Sequence, residues 1–242
     1  MSRLIDDYDC AMFDLDGVVY LGPEPVVGAP ESIADLRELG VRVGFVTNNA
    51  GRSPDVVVEH LNELGIECDA DDVVTSAQAI AQLMARELPA GSKVLACGSQ
   101  ALADEMTAVG FKLVSDHTHA PDAVVQGYAP DMCFPRLDAA AFAIQRGARW
   151  YGSNTDINRP TKQGMTPGAG SQIACVRVCV DVDPIVARKP YPPLLQETIR
   201  RMAATRPIFV GDRLDTDIEG ANNVEIDSFL VFTGAHGKWE LA

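Results

Sequence analysis

Short apolar runs alternate along the chain with longer stretches in which apolar residues recur every three or four positions, and that alternation predicts strands separated by helices. Cys10 to Phe13 is the first apolar run, and VRVGFV, ending before Thr47, Asn48 and Asn49, is the second. Between them Pro30 to Leu39 predicts a helix, because proline fits a first turn and Gly40 suits the position after the end. Ser53 predicts a cap with Pro54 in the first turn, and Val57, His60, Leu61 and Leu64 recur at helical spacing before Gly65. DVVTS is a short strand whose end caps the helix AQAIAQLMAREL. Strands joined by crossovers long enough to hold a helix predict a parallel sheet covered on both faces. Ligands of such sheets bind at the carboxyl ends of the strands. Asp14, Asp16, Thr47 and Asn48 all fall there.

From about Lys93 the pattern starts again. KVLACG, FKLV, DAVVQGY and ARWYGSN predict strands, with helices at ALADEMTAVG, RLDAAAFAIQRG and SQIACVRVCV. The polar, glycine- and proline-rich stretch NTDINRPTKQGMTPGAG predicts a loop. After DVDP, core-like segments return: a helix near Pro192 to Met202, the strand IFVGD, a helix from about Thr216 and the strand SFLVFTG. The fold class is therefore α/β, a Rossmann-like doubly wound parallel sheet with a smaller α/β domain inserted in its middle. The expected division is 1–80 with 185–242 for the core and 81–184 for the insertion.

At 242 residues, 47% hydrophobic and 22% charged, the chain has the composition of a globular protein with a real core. A formal charge of −14 argues against a broad nucleic-acid or anionic-membrane surface, which needs Lys and Arg. A small phosphorylated substrate, held locally by one lysine, backbone amides and a metal, stays open. No apolar window reaches the ~20 residues of a transmembrane helix, and the acidic start MSRLIDDYDC has no signal core. A cytoplasmic protein is the expectation. Six cysteines, at 10, 68, 97, 133, 175 and 179, form no CxxC pair and read as small hydrophobes rather than zinc ligands.

Four motifs occur in order: Asp14-Leu15-Asp16-Gly17, Thr47-Asn48-Asn49, Arg188-Lys189-Pro190 and Gly211-Asp212-Arg213-Leu214-Asp215-Thr216-Asp217. Together they resemble the haloacid dehalogenase-like superfamily, in the branch of phosphatases whose large α/β cap is inserted between the second and third motifs. GDRLDTDI is similar to the motif of phosphoglycolate, pyridoxal phosphate and 4-nitrophenyl phosphate phosphatases, and the resemblance covers nearly the whole chain. Two departures stand out: the chain stops at GKWELA, where relatives continue, and ANNVEID is bulkier than its counterparts.

Residues i and i+2 of an extended segment face one way, so Asp14 and Asp16 can reach one site, and close carboxylates raise each other's proton affinity. The resemblance implies that Asp14 attacks phosphorus and that Asp16 protonates the leaving oxygen and then activates water. Thr47 and Asn48 offer a hydroxyl and an amide to a phosphoryl oxygen, and Lys189 a point charge. Hard oxygen donors suit Mg²⁺; the family pattern implies ligation by Asp14, Asp212 and the Asp16 carbonyl, with Asp217 one step further out. The reaction implied is hydrolysis of a small phosphomonoester metabolite. A phosphotransferase or mutase on the same scaffold and a non-catalytic phosphate-binding module are the alternatives.

Other residues receive plainer readings. Asn49 divides evenly between starting a turn and a role at the site, Arg188 is structural, Asp215 is a first-turn helix acid, and His60, His117 and His119 are incidental. Tyr20 divides evenly between packing and substrate contact. The loop from Asn154 to Gly170 is expected to select substrate, its glycines presenting backbone amides and Arg159 or Lys162 meeting an anionic leaving group, with a mobile surface loop the equal alternative for any single residue. Caps of this size often pair in relatives, which leaves a homodimer through the cap open.

Overall fold

The computed structural model describes residues 3–161 and 163–241. Two compact units divide the chain, the first comprising 1–47, 53–75 and 189–242 and the second 48–52 and 76–188. The breaks at Thr75/Ser76 and Arg188/Lys189 stand against the expected 80 and 184.

The first unit opens with β1 (Cys10–Asp14), a small antiparallel hairpin of β2 (Tyr20–Leu21) and β3 (Glu24–Pro25), and α1 (Ala29–Glu38). β4 (Arg42–Thr47), α2 (Pro54–Glu63) and β5 (Val73–Thr75) follow. Ser53 caps α2 by accepting the Val56 N–H, as its sequence context predicts. In the second unit α3 (Ser76–Glu87) precedes β6 (Lys93–Cys97), α4 (Gln100–Ala108), β7 (Lys112–Val114), β8 (Ala123–Gln126) and α5 (Phe134–Gln145). Next come β9 (Arg149–Gly152), β10 (Asn158–Thr161), β11 (Gly164–Pro167), α6 (Ala169–Arg177) and β12 (Ile185–Val186). The chain then returns to the first unit through α7 (Pro192–Arg201), β13 (Pro207–Gly211), α8 (Glu219–Asn223) and β14 (Asp227–Leu230).

The first unit's sheet runs β14-β13-β1-β4-β5, with every pairing parallel. β1 is central, with Phe13 beside Val210 on one side and Asp14 beside Val46 on the other. Leu15, Val19, Ile33, Phe45, Leu61 and Val73 pack beneath it, each buried. Full burial of such side chains contributes about 1.5–3 kcal/mol apiece. Because β1 lies between β4 and β13, the residues at its tip neighbour those at theirs.

The second unit has its own parallel sheet, β12-β9-β8-β6-β7, and an antiparallel hairpin of β10 and β11. α3 belongs whole to this unit, packed against α4, although the sequence-based boundary at 80 cuts it. The hairpin replaces the featureless loop expected for 154–170: Arg159 pairs with Thr166 and Thr161 with Gly164. Its strands are polar and largely exposed, so no alternating apolar pattern announces them. A cavity of about 550 Å³ opens at the carboxyl ends of β6 and β7, and its one cation, Arg136, is engaged by the Gly98 carbonyl and Asp131. Among the described residues no helix is long and apolar enough to cross a membrane.

Candidate active site

β1 ends at Asp14, and the chain turns at once: the N–H groups of Val18, Val19 and Tyr20 all aim at the Leu15 carbonyl. Gly17 sits at φ 91°, where a side chain would be strained. This turn leaves Asp16 exposed and Asp14 half-buried at the strand tip. Tyr20 is buried, its ring edge-on to His60 at 4.9 Å, so packing accounts for both residues. On the neighbouring strand Thr47 is buried one residue past Val46, the partner of Asp14.

Lys189 is the centre of the site. Its side chain is 2% exposed, and Nζ lies 2.7 Å from Asp14 Oδ1 and 2.7 Å from Asp217 Oδ1. The face of Phe209 adds a cation–π contact at 4.9 Å. Burial opposes the charge on Lys189, but the two carboxylates outweigh it and raise its pKa. Burial also pushes the Asp14 carboxyl above its usual range, with Lys189 pulling it back.

Asp212 and Asp217 follow β13. Asp217 Oδ2 accepts the amides of Asp212 (3.0 Å) and Arg213 (3.1 Å). That grip widens the chain into a turn whose Ile218 N–H reaches back five residues to the Arg213 carbonyl. The helix expected from Thr216 therefore begins as a wide turn, a form found often at functional sites. Asp215 pairs with Arg213 at 2.8 Å on the surface.

Asp212 is 2% exposed and lies in a glycine cradle. A Cβ on Gly17 would stand 2.5 Å from its Oδ2, and one on Gly234 would stand 2.0 Å from it. The Ala235 N–H donates to Oδ2 at 2.5 Å, while buried Oδ1 has no partner among the described residues. An orphaned carboxylate oxygen in a dry site is costly unless something binds it. Carboxylate oxygens of Asp14, Asp212 and Asp217 all lie within 4.8 Å of one another. Three carboxylates around one ammonium leave two negative charges when ionised, the charge a divalent cation offsets. With both Asp217 oxygens engaged by protein donors, the open oxygen of Asp212 and the carboxylate of Asp14 are the fitting ligands for a hard ion. The Asp16 carbonyl lies on the same turn. Gly234→Ala is expected to weaken magnesium binding about 10- to 100-fold, through displacement of a supporting group. Calorimetric titration with magnesium, alongside a thermal melt, checks this.

The remaining expected residues that the structure describes belong to the second unit. Asn48 begins the short stretch that belongs to the second unit. Asn49 Oδ1 accepts the Gly51 N–H at 2.8 Å, a turn contact. His117 packs on Phe142, and His119 lies 3.3 Å from Asp116. In the hairpin Arg159 stacks on Tyr128 and donates to its hydroxyl at 2.7 Å. Lys162 lies outside the described residues. Two of the glycine amides expected to be presented are used within the loop, Gly168 N–H on the Ile157 carbonyl and Gly170 N–H on that of Asp156, both at 2.8 Å. The Gly234 cradle escaped sequence reasoning, although the glycine four residues past the end of β14, in FTGAHG, was its signal.

A parallel α/β sheet that gathers acids and a buried ammonium at its central strand tips is the build of a metal-assisted phosphohydrolase. Comparison with known proteins identifies the family. The profile of haloacid dehalogenase-like hydrolases matches residues 11–112, and a second profile of HAD-hydrolase-like sequences matches 186–242. A D-glycerol 3-phosphate phosphatase of Mycobacterium tuberculosis is 45% identical over 240 residues, 99% of this chain and 67% of that one. An acid sugar phosphatase of Staphylococcus saprophyticus is 35% identical over 97% of this chain and 90% of its own. A crystal structure of glycerol phosphate phosphatase from Mycobacterium tuberculosis in complex with magnesium superposes with a TM-score of 0.94 at 44% identity, covering 99% of this chain and 73% of that one. The p-nitrophenyl phosphatase of Archaeoglobus fulgidus gives 0.90 at 28% identity, over 97% and 90%. The chain belongs to the haloacid dehalogenase-like hydrolases, and within them it is a phosphatase.

Proposed function

We propose that the protein hydrolyses a small phosphomonoester with magnesium through an aspartyl-phosphate on Asp14. The observation that carries this is the ammonium of Lys189 held 2.7 Å from both Asp14 and Asp217, beside the open oxygen of Asp212. Asp14 attacks phosphorus, and the leaving alkoxide takes the proton of Asp16. Asp16, now a carboxylate, takes a proton from the water that attacks the phosphoenzyme, releasing phosphate and restoring both acids. Splitting one displacement into two lowers each barrier. The Thr47 hydroxyl and the Asn48 amide hold phosphoryl oxygens, and Lys189 keeps Asp14 ionised and faces the transferring group. Magnesium, held by Asp14, Asp212 and the Asp16 carbonyl with Asp217 supporting, neutralises charge on the transferring phosphoryl group. The second unit acts as the cap, and its 154–170 segment selects the leaving group.

The similarity to glycerol phosphate and acid sugar phosphatases supports a short polyol or sugar phosphate as substrate. A panel of glycerol 3-phosphate, sugar phosphates, phosphoglycolate, nucleoside monophosphates and pyridoxal phosphate, read by phosphate release, tests this. Release from at least one polyol or sugar phosphate, lost on chelation of magnesium, is expected. Release that survives chelation, or none from any ester, overturns the reading.

A further inference from the structure

The tripeptide Asn154-Thr155-Asp156 leads into the β10–β11 hairpin and is gripped from several directions within the second unit. Asn154 Nδ2 donates to the Asn48 carbonyl at 2.9 Å, and Ser76 Oγ donates to the same oxygen at 2.8 Å. Two donors satisfy both lone pairs of that carbonyl and hold its peptide plane. The Asp156 N–H donates to Asn154 Oδ1 at 2.8 Å, which fixes the end of the amide that carries the donors. Arg188, its side chain 12% exposed, places Nη1 3.0 Å from Asp156 Oδ1 and 3.1 Å from Thr155 Oγ1. Behind the tripeptide, a Cβ on Gly170 would stand 2.1 Å from the Thr155 carbonyl oxygen, and one on Gly168 would stand 2.3 Å from that of Asp156. The loop has no room to drift away from its anchors.

Both anchors are chain neighbours of site residues: Asn48 directly follows Thr47, and Arg188 directly precedes Lys189. We infer that Asn154 is a positioning residue for phosphate recognition. By holding the Asn48 carbonyl it sets the peptide that follows Asn48 and so the orientation of Asn48 itself, directly after Thr47, while Arg188 ties the same tripeptide to the residue before Lys189. One hydrogen-bonded network of the second unit thereby joins the 154–156 tripeptide to the residue after Thr47 and to the residue before Lys189. This inference rests on the roles given above to Thr47, Asn48 and Lys189.

Orthophosphate is the probe, because it has no leaving group for the loop to touch. Its inhibition constant is measured against 4-nitrophenyl phosphate with magnesium present, for the wild type, Asn154→Ala, Asn154→Ser and Ser76→Ala. Loss of one neutral hydrogen bond to the shared carbonyl should raise the constant about five-fold in Asn154→Ala. Asn154→Ser, which keeps a shorter donor, should fall between it and the wild type, and it serves as the reporter where the alanine variant folds poorly. Ser76→Ala should move in the same direction, and the double variant should depart from additivity. An unchanged orthophosphate constant with altered preference among esters would assign Asn154 to the leaving group and overturn the inference. An unchanged constant with a lowered melting temperature would overturn it in favour of a purely structural role. A wild type that neither hydrolyses esters nor binds orthophosphate would instead fell the underlying reading, and this inference with it.

Discussion

Asp14→Asn is expected to lower phosphate release from 4-nitrophenyl phosphate by at least ~10³-fold, because an amide of the same shape cannot attack phosphorus. The fold should survive the change. Lys189 keeps its 2.7 Å contact with Asp217, and the new side chain still offers an oxygen at the position where Asp14 Oδ1 meets Nζ. A melting temperature within a few degrees of the wild type, alongside the loss of turnover, separates lost chemistry from lost structure. Full activity in this variant would remove Asp14 as the nucleophile.

Lys189→Met carries the other large effect, and here rate and stability should fall together. Lys189 is 1% exposed and is the cation between two acids, one of which, Asp217, is fully buried. Removing one partner of a buried charged set strands the other, at a cost of about 3–5 kcal/mol. Part of that penalty is relieved when one of the acids takes up a proton instead, which itself disarms the nucleophile. Turnover should fall by about 10²–10³-fold, as on loss of a preorganised charge at a transition state. Urea unfolding gives the stability change, and kcat at saturating magnesium gives the rate. A variant with normal kcat and only weakened magnesium affinity would show that the lysine serves the metal and not the phosphoryl group.

The site acids were legible in the sequence for a definite reason. Asp14, Thr47 and Asp212 each stand directly after an apolar run that could only be a strand, and a parallel sheet brings such ends together. Lys189 was legible only through its place in RKP after the insertion, since nothing in its local pattern marks a lysine for burial. The β10–β11 hairpin stayed hidden because Asn158, Arg159, Gly164 and Met165 are exposed and share no apolar face. β12 is two residues long and reads as part of a linker, so the limit of the second unit lay further on than the sequence suggested. The widened turn at 214–218 depends on the Asp217 carboxylate folding back onto two amides, a contact no periodicity encodes. Arg188 looked like filler beside Lys189; its partners Thr155 and Asp156 are over thirty positions away in the chain.

The central strand of the first sheet draws its two neighbours from either side of the inserted unit, β4 ending at Thr47 and β13 starting at Pro207. During synthesis the N-terminal half of that sheet therefore leaves the ribosome with one margin of β1 lacking its mate, while the inserted unit emerges whole and is free to fold. Closing so long a span is slow, and until β13 arrives the bare margin is open to pairing with other nascent chains. In the proposed mechanism Lys189 and Asp212 arrive with that same segment, so the site would be assembled only after the inserted unit has been made.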